Sequence, residues 1–212
     1  AQAQALVGLS EPELAGRIAF ELGALYLQQA RPATADAVLA WAEGSIGRHE
    51  ELSDLSHLRA LIVERRGDYR ASRVLLHRAI AQSLALTPQT RLLALHNLAS
   101  SLAHSSPLES IELTTLALAQ MEAGQLHLGL RPALLNVAGY AFICAGDAGG
   151  ADGVLAEAHA EARKGQNREI ASFAQFNRAI VAELRGNPGA ARMMLEQLLA
   201  ETASVLPTLA GW

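Results

Sequence analysis

The residues able to do chemistry are few in this chain, and their spacing works against a shared site. The run Gly146-Asp147-Ala148-Gly149-Gly150 has the glycine content of a phosphate cradle, in which successive backbone N–H groups converge on an anion. It lacks the lysine of such loops and follows a helical stretch rather than a strand, so it reads as a turn. His49 and His57 are eight residues apart, as are His96 and His104. Eight residues make about two helical turns, roughly 12 Å of axis, too far to share one metal. No Cys-x-x-Cys or His-Glu-x-x-His pattern occurs, and residue order alone assembles no Ser/His/Asp triad. A catalytic pocket would have to draw on His96, His104 and Glu64, which no helical spacing brings together. Neither an enzyme nor a cofactor or metal site is expected. Cys144 is the single cysteine, so no internal disulfide can form. That usage fits a reducing, cytoplasmic compartment, with Cys144 as a small buried hydrophobe.

The elements that would carry these residues are helices. Of 212 residues, 50% are hydrophobic and only 4% aromatic, with Ala and Leu dominant. That is the composition of packed helices rather than of a sandwich or barrel. The net charge of −4 is spread along the chain, and no basic cluster could neutralise a run of phosphates, so direct nucleic-acid contact is not expected. The most apolar window, 133–145, contains Asn136 and is too short to span a bilayer. Residues 1–6 have no basic region ahead of an apolar core, as a signal peptide would. The chain has no initiator methionine and stops at Gly211-Trp212 after an apolar stretch, so a fragment of a longer protein is expected.

Three stretches are near copies: Arg66-Gly67-Asp68-Tyr69, Ala145-Gly146-Asp147-Ala148 and Arg185-Gly186-Asn187-Pro188. Gly67 and Gly146 are 79 residues apart, Gly146 and Gly186 are 40 apart, so the first gap holds two periods of about 39.5. A fixed period in this range marks a repeat array. Between the turns the apolar period is near 3.6. The prolines fall at helix starts or in loops, where Pro is tolerated. The pattern predicts first helices near 13–29, 51–66, 90–104, 132–145 and 169–185, and second helices near 33–46, 69–86, 107–123, 148–163 and 188–203.

Each pair resembles a tetratricopeptide repeat (TPR), whose first helix carries L-G-x-x-Y and whose second carries A-x-x-x-F. Leu22-Gly23-Ala24-Leu25-Tyr26 followed by Ala35, Leu39 and Ala42 matches best. Gly139, Phe142, Ala151 and Leu155 repeat the pattern, as do Ala60, Ser72 and Leu76, and Ala179, Ala191 and Leu195. The third repeat has the degenerate turn Ser105-Ser106-Pro107. Small residues such as Gly23, Gly139 and Ala179 would let the two helices of a pair approach. The resemblance implies an all-α, right-handed α-α superhelix (solenoid) of about five TPR-like pairs. Residues 1–212 would then form one helical-repeat domain, with repeats at 13–46, 51–86, 90–123, 132–163 and 169–203.

In TPR arrays the first helices line a concave groove. Carried onto this chain, the groove positions are Arg17, Phe20, Asp54, His57, Arg65, His96, Asn97, Ser100, His104, Asn136, Tyr140, Phe173, Phe176 and Asn177. Side-chain amides there could grip a peptide backbone, since each offers a donor and an acceptor. Tyr140, Phe173 and Phe176 are the aromatic anchors, although Phe173 and Phe176 would serve equally as core between helices. The period of 37–40 exceeds the usual 34. That length is similar to the helical-repeat domains of MalT-like LuxR-type and SARP-type bacterial transcription regulators. In those proteins the repeats bind an inducer or a partner protein, while other domains bind DNA and nucleotide. The resemblance thus implies a cytoplasmic module that binds a protein, a peptide or a small inducer. The alternative is a stand-alone scaffold that dimerises through its apolar end, 205–212.

Overall fold

The computed structural model describes residues 11–46, 53–82, 88–124, 126 and 129–203, except the side chains of 11–13, 15, 17, 44–46, 53, 54, 82, 90, 202 and 203. Every element among them is an α-helix. The first helices are α1 (Glu11–Gln28), α3 (Ser53–Arg65), α5 (Pro88–Leu102), α7 (Arg131–Cys144) and α9 (Arg168–Leu184). Their partners are α2 (Pro32–Ile46), α4 (Tyr69–Gln82), α6 (Pro107–Ala123), α8 (Ala148–Lys164) and α10 (Pro188–Ala203). These ten helices lie where the 3.6 period places them; α4 is described as far as Gln82, and 83–86 of its expected range lie outside the described residues.

The chain forms two compact units, 1–98 and 99–212. In the first, α1 packs on α2, α3 on α4, and α3 also on both α1 and α2. In the second, each helix from α6 to α10 packs on the next, and α7 also packs on α9. A first helix therefore touches its own partner, the preceding second helix and the neighbouring first helix. That is the packing rule of a helical repeat, in which each pair buries its apolar faces on its neighbours.

The near-identical turns have a physical explanation. Gly67, Gly146 and Gly186 have φ of +88°, +81° and +75°, a left-handed conformation that costs a non-glycine residue about 1–2 kcal/mol. That twist lets the following amide reach back into the last helical turn: Asp68 N–H donates to Val63 O, Asp147 to Phe142 O and Asn187 to Ala182 O. The same Asp or Asn then caps the next helix. Asp68 Oδ1 accepts from Ala71 N–H, Asp147 Oδ1 from Gly150 N–H and Asn187 Oδ1 from Ala190 N–H. One dipeptide thus ends a helix and starts the next, satisfying amides and carbonyls that helix ends otherwise leave bare. The link from α8 to α9 uses the same geometry without glycine at the twist: Gln166 has φ +57°, and Asn167 Oδ1 accepts from Ile170 N–H at 3.1 Å.

The arginine ahead of two of these glycines links neighbouring pairs. Arg66 reaches Asp36 of α2 at 2.6 Å, and Arg185 bonds to Asp152 of α8. Both aspartates stand four residues after the first residue of their helices. At the α7–α8 turn the corresponding positions are Ala145 and Ile111, so both partners of the ion pair are missing together. Each such exposed pair contributes at most about 1 kcal/mol.

The glycine crossings are tight. A Cβ on Gly139 would lie 2.4 Å from Leu155 of α8, so this residue lets α7 and α8 of one pair approach. Gly23 acts differently from the expectation: its Cβ would lie 2.4 Å from Leu58 of α3. It brings α1 close to the next first helix rather than to α2. Leu58 and Leu155 are both fully buried, and each such burial is worth about 1.5–3 kcal/mol.

Candidate binding face

The first helices set most of the expected groove residues at fixed offsets from a small crossing residue: Gly23, Ala60, Ala99, Gly139 and Ala179 in turn. In the first unit four groove residues meet. Phe20 of α1 lies against the ring of His57 in α3, with centroids 4.8 Å apart and planes tilted by 32°. His57 Nε2 pairs with Asn97 Nδ2 of α5 at 2.7 Å. His96 Nδ1 lies 3.2 Å from Asn97 Oδ1, and burial holds the His96 imidazole below its ordinary pKa. Phe20 and His57 are buried, Asn97 is half-buried and Arg65 is exposed. The side chains of Arg17 and Asp54 lie outside the described residues.

The second unit repeats the amide link. Asn177 Nδ2 of α9 donates to Asn136 Oδ1 of α7 at 3.0 Å. The partners are 41 residues apart, against 40 for His57 and Asn97. In both cases the residue three before the crossing residue bonds to the residue two before the crossing residue of the next first helix. The Asn136 amide group keeps two donors beyond this bond.

Around this link the second unit exposes its aromatics. Phe173 and Phe176 are 51% and 47% exposed, while Ala174, Gln175 and Asn177 beside them are buried. Ile180 and Leu184 continue the line at steps of four residues, which keeps all four on one side of α9. Tyr140 of α7 is half-buried, and the neighbouring Cys144 thiol together with burial raises its pKa. Cys144 is itself half-buried rather than part of the core. Its Sγ lies 3.9 Å from Nδ1 of exposed His104, and Ser100 is also exposed. The spacing in the sequence left open whether Phe173 and Phe176 pack inward, because outward and inward faces of α9 both carry apolar residues.

Among the described residues no group of three or more His, Cys, Asp or Glu side chains could hold a metal ion. No helix among them is long and apolar enough to cross a membrane. The apolar segment 205–212 lies outside the described residues.

No family model matches the sequence, and no curated protein matches it. Solved structures do. Nearly identical TPR-like repeats from Podosopora anserina, described as those of a kinesin light chain, align with a TM-score of 0.67 in the crystal structure of one variant. Identity is 21%, over 94% of this chain and 100% of that one. A second crystal structure of such repeats gives a TM-score of 0.65 at 21% identity, over 93% of this chain and 99% of that one. At that identity the likeness speaks to architecture, and with the packing above it establishes an all-α helical-repeat fold of the solenoid class, built of TPR-like pairs.

Proposed function

We propose that this chain is a protein-binding module whose docking surface is the exposed side of α9. The partner would be a peptide segment with large apolar side chains. These would pack on Phe173 and Phe176, and its backbone would meet the free donors of the Asn136 amide. The observation that carries this reading is the pair of half-exposed phenylalanines one turn apart, on a helix where Ala174, Gln175 and Asn177 beside them are buried. Large aromatic anchors dominate protein-binding energetics because they bury much area with little rotamer entropy to lose.

Peptides selected by display on the intact chain, then titrated by fluorescence anisotropy, test it. The double variant Phe173→Ala/Phe176→Ala should bind the selected peptides at least about tenfold more weakly, a loss of about 1.4 kcal/mol. Unchanged binding would sink the assignment of this face. Unchanged binding by Asn136→Ala alone would keep the aromatics and remove the amide.

At a finer level we read the module as the sensing arm of a cytoplasmic bacterial transcription regulator of the MalT-like or SARP-like kind. A small inducer could then replace the peptide on the same face. Support comes from the repeat period near 40, longer than the common 34. A nucleotide-binding or helix-turn-helix segment encoded in the same reading frame would support this. Flanks containing only more repeats would replace it with the scaffold reading.

A further inference from the structure

In α3, α7 and α9, each packed on the preceding second helix, the positions five before and two after the crossing residue are buried. Leu55 and Ile62 are 6% and 1% exposed, Leu134 and Ala141 are 0%, and Ala174 and Val181 are 0% and 1%. The same register in α1 holds Ile18 and Leu25, at 41% and 47%, with Leu22 between them at 40%. α1 thus presents an inter-repeat face with no helix on it among the described residues.

The other half of that interface stands open on α10. Leu155 and Ala158 of α8 are fully buried, packed in clusters with Val181 and Ala174 of α9 respectively. Forty residues on, Leu195 and Leu198 of α10 are only half-buried, and Leu199 is 69% exposed.

The register can be checked where the interface is closed. Glu43 of α2 forms an ion pair with Arg59 of α3. The corresponding residues of α8 and α9 are His159 and Arg178, whose charge helps depress the His159 pKa. At the two open faces this position is Leu199 on α10 and Leu22 on α1. Both partners have become apolar together.

We propose that the open face of α10 is occupied by α1 of a second copy of this chain, head to tail. In the α8–α9 register, Leu198 meets Ile18, Leu195 meets Leu25 and Leu199 meets Leu22. The contact has the chemistry of the internal interfaces, with an aliphatic pair in place of the Glu43–Arg59 ion pair. Such an interface is heterologous: each copy offers one half at each end, so association continues beyond a dimer unless a ring closes. This inference does not rest on the peptide-binding reading.

Sedimentation equilibrium of the 212-residue chain tests it, with Leu22→Glu and Leu199→Glu as variants. Both leucines are exposed, so folding, checked by circular dichroism, should be unaffected. The weight-average mass of the parent chain should rise with concentration. Each variant alone should associate at least about tenfold more weakly, a change of about 1.4 kcal/mol. Mixing the two should restore a species of two chains and no larger, because one variant keeps its α10 face and the other its α1 face. A parent chain of single-chain mass at every concentration overturns the proposal. So does a folded mixture that fails to pair, or a Leu199→Glu variant that still self-associates by itself.

Discussion

Phe20 and Phe176 hold the same register in different units, three residues before Gly23 and Ala179, yet Phe20 is 5% exposed and Phe176 is 47% exposed. The difference is the helix that follows. α3 lays His57 over Phe20, and His57 is held in turn by Asn97. No further first helix follows α9 among the described residues. Burial of an aromatic in this array is therefore decided by its place in the order of repeats more than by residue type. Truncating each residue should expose the contrast. Phe20→Ala is expected to cost about 3–5 kcal/mol, the usual range for a buried Phe. Phe176→Ala should cost less than about 1 kcal/mol, as surface changes do. Urea unfolding of both variants checks this, and equal losses would contradict the exposure difference.

The two crossing glycines extend the comparison, because Gly139 closes a pair while Gly23 closes the contact between successive pairs. Gly139→Leu should destabilise by at least about 1–3 kcal/mol, since a larger side chain must displace a fully buried Leu155. Gly23→Leu should cost as much against Leu58. A neutral result at either site would show that the helices separate there at no cost.

Much of this architecture is legible in the residues. The Gly-Asp and Gly-Asn dipeptides announce helix ends because two hydrogen-bonding needs converge on two residue types. The turn at Gln166-Asn167 escapes that reading, because its left-handed residue is not glycine and only the Asn cap remains as a signal. The direction of Gly23 was hidden for another reason: a small residue marks a close approach without naming the helix that approaches. The site was less legible. The spacing along the chain puts each amide two or three residues before its crossing residue. Whether each amide meets a ligand or its neighbour depends on an offset of one residue between successive helices, which periodicity does not resolve. The facing of Phe173 and Phe176 depends on what lies over α9, and residues within α9 carry no sign of that.

The amide links should differ in strength because their surroundings differ. Asn97→Ala removes a 2.7 Å bond to a ring with no solvent exposure and should cost about 1–3 kcal/mol, the penalty for disturbing a buried polar group. Asn177→Ala leaves half-buried Asn136 within reach of water, so about 1 kcal/mol is expected. Thermal denaturation ranks the two, and the reverse order would imply that the second unit relies more on its link.

Acid should weaken both units through different histidines. Burial depresses His96 in the first unit, and burial with the charges of Arg178 and Arg163 depresses His159 in the second, both from 6.5. The unfolded chain therefore binds more protons below pH 6.5, so stability is full above that pH and falls as pH drops through it. Melting temperature should decline from about pH 7.5 toward about pH 5.5. His159→Gln should flatten the part of that slope belonging to the second unit, and an unchanged slope would remove His159 as a source.

The smallest effect separates turns with glycine from turns without it. Ala30 and Gln166 carry φ of +54° and +57° and make the same backward bonds as the glycine turns, from Arg31 N–H to Tyr26 O and from Asn167 N–H to Ala162 O. They hold a left-handed conformation with a side chain attached, which costs about 1–2 kcal/mol. Glycine would remove that cost but would also give the unfolded chain more freedom, which returns about 0.4–1 kcal/mol. Ala30→Gly and Gln166→Gly should therefore each stabilise by only about 0.5–1 kcal/mol, the residue of two opposing terms. Gly146→Ala supplies the converse. Nothing lies within 4 Å of its added Cβ, so its net loss of about 0.5–1 kcal/mol, the same two terms with signs reversed, would be conformational and free of any clash. Differential scanning calorimetry can resolve the three. A destabilised Gln166→Gly would mean that the Gln166 side chain contributes more than its backbone costs, and the shared turn geometry would then no longer predict which residue each turn prefers.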